Sequence, residues 1–122
     1  MGEVESSGPE SLAFRAPAAE DPVLEEIVRR LVEVYHPERV YLFGSAARGE
    51  AGPHSDYDIM VVVPDQTPKV VRETKEIYRK LWDIDAAIDV LVWSRSDFDG
   101  RLHLAASFPS TIVREGRLLY AA

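Results

Sequence analysis

The chain has 122 residues, no cysteine and a formal net charge of -7 at pH 7, and 46% of its residues are apolar. Such a length and composition fit one globular domain and exclude two independent cores, disorder throughout, disulfides and thiolate metal sites. The acidic charge disfavours direct nucleic-acid binding, and no apolar run approaches the roughly 20 residues of a membrane span, so we expect a cytoplasmic protein without a membrane partner.

The sequence predicts alternating helices and strands after a segment without periodicity. That segment, residues 1–20, is rich in Gly, Ser, Pro, Ala and Glu, so we expect a flexible tail before a domain over residues 21–122. The predicted elements are, in chain order, a helix over 22–36, a strand over 39–43, a short helix over 45–48, a strand over 56–63, a helix over 68–82, a strand over 87–93, a helix over 96–115 interrupted by Pro109, and a short strand over 117–120. This alternation favours an α/β fold in which helices flank a small sheet.

The lengths of the connections predict how the three main strands pair. The short link between the first and second strands suits an antiparallel pair. The long helical crossover between the second and third strands suits a parallel pair. We therefore expect a mixed sheet.

Two aspartates on the second predicted strand are the first candidates for chemistry. Asp56 and Asp58 are two residues apart, so their side chains lie on the same face of the strand. The opposite face, which we expect to face the core, is almost wholly apolar and consists of Tyr57, Ile59, Val61 and Val63. Neighbouring carboxylates repel each other, and magnesium is commonly held by one or two carboxylates together with substrate phosphates. The pair therefore predicts part of a magnesium site for a nucleoside triphosphate.

The third predicted strand supplies another carboxylate, Asp89. The β-branched residues that alternate with it are expected to face the core, so Asp89 is predicted to face outward beside the other two aspartates. An aspartate within an apolar strand is unfavourable unless something compensates its charge. A shared metal ion would do so, and an ion pair with an arginine at the sheet edge is the alternative.

A glycine-serine pair predicts the binding site for phosphates. Gly44 and Ser45 lie where a strand ends and a helix begins, and the free N–H groups at such a junction attract anions. Glycine lets the backbone approach a phosphate closely, although the pair also suits a simple helix cap. Arg48 can contact the phosphates or form a structural ion pair. Ser55 is a turn or cap residue that can orient Asp56 and contact the nucleotide.

These residues together resemble the motifs of the nucleotidyltransferase superfamily that includes DNA polymerase β. The motifs are GSAARG at 44–49, SDYDI at 55–59 and the aspartate of IDVLV at 88–92. The chain looks most similar to the minimal nucleotidyltransferases, which are often encoded beside a HEPN-domain partner as toxin–antitoxin pairs. The resemblance covers residues 22–120 and implies the palm-like fold of that superfamily.

The resemblance also implies the roles of these residues. Asp56 and Asp58 would ligate two magnesium ions, and Asp89 would ligate the ion nearer the acceptor and help to deprotonate the acceptor hydroxyl. Gly44 and Ser45 would bind the β and γ phosphates of ATP. AMP would then pass to a tyrosine of a HEPN-domain toxin, for which this chain would be the antitoxin.

Two other functions stay open at this point. One is a non-catalytic module that neutralises its partner by binding alone. The other is transfer to a small molecule such as an aminoglycoside, for which the acceptor pocket would need a second subunit. Because the sequence spans little beyond the expected core, we expect a partner protein or another subunit to complete the acceptor side, in a hetero-oligomer or an oligomer.

Overall fold

A four-stranded mixed sheet organises residues 21–47 and 56–122, the part of the chain that the computed structural model describes. The helices are α1 (Pro22–Tyr35), α2 (Gly44–Ala47), α3 (Lys69–Arg72), α4 (Glu76–Lys80), α5 (Arg95–Asp99) and α6 (Phe108–Glu115). The strands are β1 (Arg39–Phe43), β2 (Asp56–Val63), β3 (Ala87–Ser94) and β4 (Arg117–Ala121). The predicted tail, residues 1–20, lies outside the described residues.

The pairing of the strands confirms the predicted mixed sheet. The strands lie in the order β3-β2-β1-β4. Strand β1 pairs antiparallel with both β2 and β4, whereas β2 and β3 are parallel. Because β3 reaches its place through the crossover that contains α3 and α4, the amino-terminal ends of β2 and β3 lie side by side.

Helix α1 begins and ends where its sequence predicts. The Asp21 carboxylate accepts hydrogen bonds from the backbone N–H groups of Val23 and Leu24, each at 3.1 Å. The helix ends at His36, which has a φ of 48° and donates its N–H to the Val32 carbonyl. Its buried face packs on the sheet and consists of Leu24, Ile27, Val28, Leu31 and Tyr35. Among the described residues, no helix is both long and apolar enough to cross a lipid bilayer.

The sheet is buried on both faces. The α1 face carries Ile59, Val61 and Val63 of β2, all fully buried. On the opposite face, which α5 and α6 cover, Met60 and Val62 are equally buried. The cluster on this second face consists of Tyr41, Met60, Val62, Phe98 and Ile112. The sequence prediction assigned a core only to the α1 face.

The crossover is not the single helix predicted over 68–82. It is divided into α3 and α4 by residues 73–75. At the break the Thr74 hydroxyl oxygen accepts the backbone N–H of Glu76 at 3.1 Å. A side chain that bonds to nearby backbone in this way competes with a continuous helix, and apolar periodicity does not reveal it.

The predicted helix over 96–115 is also divided, into α5 and α6, by turns over residues 100–107. Pro109 does not interrupt a helix as predicted. It lies in the first turn of α6, where proline costs no hydrogen bond because the first N–H groups of a helix have no partner within it. The Ser107 side chain caps this helix by accepting the N–H of Ser110 at 3.2 Å.

Candidate active site

The register of the two parallel strands brings the three predicted aspartates together. Asp58 of β2 and Asp89 of β3 are direct partners across the pair. Asp56 is two residues before Asp58 and therefore lies on the same face. Asp56 and Asp89 are exposed, whereas Asp58 is partly buried. The three carboxylates thus share the amino-terminal end of the parallel pair, on the face opposite α1.

The electrostatics of Asp58 show that the three side chains interact. The pKa of the Asp58 carboxyl is raised above its usual value, first by burial and then by the negative charges of Asp89 and Asp56. A divalent cation bound beside Asp58 would relieve both repulsions, because it supplies the opposite charge. The donor set, made of carboxylate oxygens, is the type that magnesium prefers.

The carboxylates are not yet gathered around one point. Within residues 21–47 and 56–122, no three His, Cys, Asp or Glu side chains are close enough together to hold a metal ion as they stand. A cation that binds here therefore has to draw the carboxylates inward.

Gly44 lies directly against Asp58. Its φ is +76°, a backbone conformation that favours glycine. A Cβ atom at this position would lie 2.5 Å from Asp58 Oδ2, which is too close for any real side chain. The glycine therefore brings the start of α2 to the edge of the carboxylate cluster, as a phosphate-binding turn requires.

The other predicted nucleotide contacts fall partly outside the described structure. The backbone of Ser45 belongs to α2 and follows Gly44 at the cluster. Its side chain, and all of Arg48 and Ser55, lie outside the described residues. Their contacts with a nucleotide stay predictions.

Tyr57 fixes the strand that carries the aspartates to the start of α1. Its side chain points to the α1 face, and its hydroxyl donates a hydrogen bond of 2.7 Å to Asp21 Oδ2. Burial, followed by the hydrogen bond to Asp21 and the charge of Asp21, raises the pKa of Tyr57 to about 12. The sequence placed Tyr57 in the core but gave no sign of this bond, because it joins residues 36 positions apart.

Aromatic residues border the cluster on the same face of the sheet. Phe43 is the direct partner of Asp58 on β1, so Phe43, Asp58 and Asp89 form one row across three strands. The Phe43 ring meets the Phe108 ring edge to face, with centroids 5.4 Å apart, and Phe108 also contacts Trp93 at 5.9 Å. The sequence analysis did not single out Phe43 or Phe108. The position of Phe43 immediately before Gly44 is the only sequence signal for either residue.

Known proteins resemble the chain in sequence and in fold. A sequence profile described as "Nucleotidyltransferase domain" matches residues 23–118. A protein of Methanocaldococcus jannaschii, named as a candidate protein adenylyltransferase, is 29% identical over 103 residues, which make up 83% of this chain and 98% of that protein. These matches confirm the resemblance predicted from the motifs.

Solved structures share the fold. A protein of Sulfolobus solfataricus, named as a candidate nucleotidyltransferase, superposes with a TM-score of 0.53 at 21% identity, over 95% of this chain and 91% of its own. A toxin–antitoxin structure with AMP-PNP superposes with a TM-score of 0.52 at 24% identity, over 80% of this chain and 73% of its own. At these identities the likeness shows the fold alone.

Proposed function

Because the chain belongs to the nucleotidyltransferase domain family, we propose that it transfers AMP from ATP to a hydroxyl group of a partner protein. The observation that carries this proposal is the in-register pair Asp58 and Asp89, with Asp56 on the same face and Gly44 against Asp58. The name of the Methanocaldococcus jannaschii relative supports protein as the acceptor, and the AMP-PNP in a structure of the same fold supports ATP as the donor.

The three carboxylates have distinct tasks in this proposal. Asp56 and Asp58 would hold two magnesium ions, and Asp89 would hold one of them. Magnesium, when bound, supplies positive charge to the attacking and leaving oxygens of an in-line displacement. Asp89 lies on the edge strand and is exposed, so it is the carboxylate that an approaching acceptor meets first. It accepts the proton of the acceptor hydroxyl while the hydroxyl oxygen bonds to the α phosphorus and pyrophosphate leaves.

The phosphates occupy the opposite side of the row, beside β1. Gly44 offers a surface without a side chain next to Asp58, and the backbone N–H groups at the start of α2 donate to the β and γ phosphates. The hydroxyl groups of Ser45 and Ser55 and the guanidinium of Arg48 are the further groups proposed to bind the nucleotide. ATP is thus oriented with its reacting α phosphorus between Gly44 and Asp89.

The partner that we propose is a HEPN-domain toxin, with this chain as its antitoxin. The similarity of the fold to toxin–antitoxin structures supports a toxin as the protein partner, and the HEPN domain is part of the proposal. The net charge of -7 suits a partner with a basic surface. Covalent addition of AMP to the toxin would neutralise it.

Transfer of label tests the proposal directly. The chain, its cognate partner, magnesium and ATP labelled at the α phosphate are incubated, and label on the partner is measured. We expect Asp58→Asn to reduce labelling by at least about 100-fold, since even the groups that support metal ligands contribute 10- to 100-fold. Asp97→Asn is the matched control, because Asp97 is an exposed carboxylate just beyond the opposite end of β3.

Two results would contradict the proposal. One is equal labelling by the wild type and the Asp58→Asn variant. The other is a partner that is neutralised but carries no label with any of the four nucleoside triphosphates, which would identify a module that acts by binding alone. A melting curve of Asp58→Asn, compared with that of the wild type, serves as the control for folding of the variant.

A further inference from the structure

On the face of the sheet that carries the aspartates, an aromatic wall begins beside Asp58. We use this name for Phe43, Phe108 and Trp93. Phe43 stands beside Asp58 in the row across the strands, and Phe108 lies over the sheet between Phe43 and Trp93. Phe108, at the start of α6, therefore contacts the residue that pairs with Asp58.

Phe108 is held in place and yet remains exposed. Its ring makes edge contacts on two sides, at interplanar angles of 87° with Phe43 and 64° with Trp93. Trp93 is itself covered by Arg101, whose guanidinium carbon lies 5.5 Å from the ring centroid. Phe108 nevertheless has 39% of its surface open to solvent. A fixed, exposed ring at the border of a polar cluster is suited to contact a flat ligand.

The direction of the wall from the aspartates indicates which part of a ligand it meets. In the proposed function, the β and γ phosphates extend toward Gly44 and the acceptor approaches Asp89 at the sheet edge. The wall begins at Phe43, in the row of Asp58, and extends from there in the direction of β2 to Trp93, the partner of Val62. This direction leads away from Gly44, which follows Phe43 at the end of β1. The nucleoside is the remaining part of ATP and has to leave the α phosphorus in a direction that avoids the other two.

We propose that Phe108, supported by Phe43 and Trp93, stacks against the base of the bound nucleotide. This inference rests on the proposed function and adds the residue that holds the nucleoside. The three rings offer aromatic surface to any base, so the contact favours the larger purine rings over pyrimidines without selecting adenine over guanine.

Calorimetry with two ligands separates base stacking from phosphate binding. A non-hydrolysable ATP analogue and inorganic tripolyphosphate are each titrated, with magnesium, into the wild type and the variants. Phe108→Ala should weaken binding of the analogue by roughly tenfold, the effect of one stacking contact, and leave tripolyphosphate binding unchanged. Phe108→Trp should retain binding of the analogue. Val113→Ala is the matched control, because Val113 is an exposed apolar residue of the same helix.

The outcomes distinguish this inference from the proposed function. Unchanged binding of the analogue to Phe108→Ala, or an equal loss for both ligands, would overturn base stacking while the proposed function stands. An unchanged affinity for the analogue together with a raised KM for the protein partner would also overturn it, because the wall would then serve the acceptor. A wild type that binds neither ligand would overturn both proposals.

Discussion

The two faces of the sheet use the same strands but differ at one end. On the α1 face, the side chains of β2 stay apolar along the whole strand, from Tyr57 to Val63. On the α5/α6 face, the apolar row ends at Met60, and the next two positions toward the start of the strand are Asp58 and Asp56.

This difference follows from what covers each face. Helices α5 and α6 bury Met60 and Val62 but leave Asp58 partly exposed and Asp56 exposed. The uncovered end is therefore open to a ligand, while the continuous core on the other face holds the same strands in position. A site that needs fixed carboxylates is well placed on strands that are packed from behind.

The largest expected effect is the loss of stability on truncation of a buried side chain, and it tests whether both faces of the sheet are tightly packed. Ile59 and Met60 are adjacent, fully buried and on opposite faces. Truncation of either to alanine should lower the free energy of unfolding by about 2–5 kcal/mol, because each leaves a cavity among packed side chains. Urea denaturation measures both. A cost below about 1 kcal/mol for Met60→Ala would show that α5 and α6 cover the sheet without packing against it.

The next expected effect is a loss of activity and stability on substitution of Gly44, which lies at the uncovered end of the sheet where the three aspartates are. Gly44→Ala should reduce nucleotide transfer by about 100-fold, since the new Cβ displaces the Asp58 carboxylate. It should also lower the free energy of unfolding by about 1–2 kcal/mol, because alanine is strained at a φ of +76° and clashes with Asp58. In an Asp58→Ala background the part caused by the clash should disappear. If the stability losses of Gly44→Ala and Asp58→Ala were simply additive in the double variant, the contact between Gly44 and Asp58 would be contradicted.

Much of the carboxylate cluster could be predicted from the sequence because strand geometry is regular. The period of two places Asp56 and Asp58 on one face, and the apolar neighbours of Asp89 place it on the outward side of its strand. The contact of Gly44 with Asp58 could not be predicted in this way. It depends on the antiparallel register of β1 and β2, in which Phe43 pairs with Asp58.

The second core could have been predicted, whereas the break between α3 and α4 could not. Residues 59–63 are uniformly apolar, without alternation, which is typical of a strand buried on both faces. At the break between α3 and α4, the Thr74 side chain accepts a hydrogen bond from the Glu76 backbone, and apolar spacing carries no information about such a bond. The aromatic wall was not predicted because its rings come from three distant segments.

A smaller effect tests how the α1 face anchors the site. Tyr57→Phe should lower the free energy of unfolding by about 1 kcal/mol through loss of the bond to Asp21, with nucleotide transfer nearly unchanged. Burial, together with the bond to Asp21, raises the folded-state pKa of Tyr57 from its ordinary 10.0 to about 12, so the stability advantage of the wild type is complete below pH 10 and is lost as the pH rises toward 12. Melting curves of both proteins across this range measure it. A difference that grows with pH would contradict the assignment.

The smallest expected effect is a pH dependence of stability that arises from Asp58. Because the folded-state pKa of Asp58 is raised, its ionised form destabilises the fold. Without magnesium, Asp58→Asn should therefore melt about 1–3 °C above the wild type at pH 7, and this gap should close as the pH falls through the folded-state pKa of Asp58. A gap that widens on acidification would contradict the repulsion among the three carboxylates.

The most direct test of the carboxylate cluster is a count of bound divalent ions. Manganese, which replaces magnesium and is detected by electron paramagnetic resonance, is titrated into the protein with a non-hydrolysable ATP analogue. We predict two nucleotide-dependent ions per chain in the wild type and one in Asp89→Asn, since Asp89 contributes to only one of the two sites. The same number of ions in both proteins, or no uptake that depends on the nucleotide, would contradict the central claim.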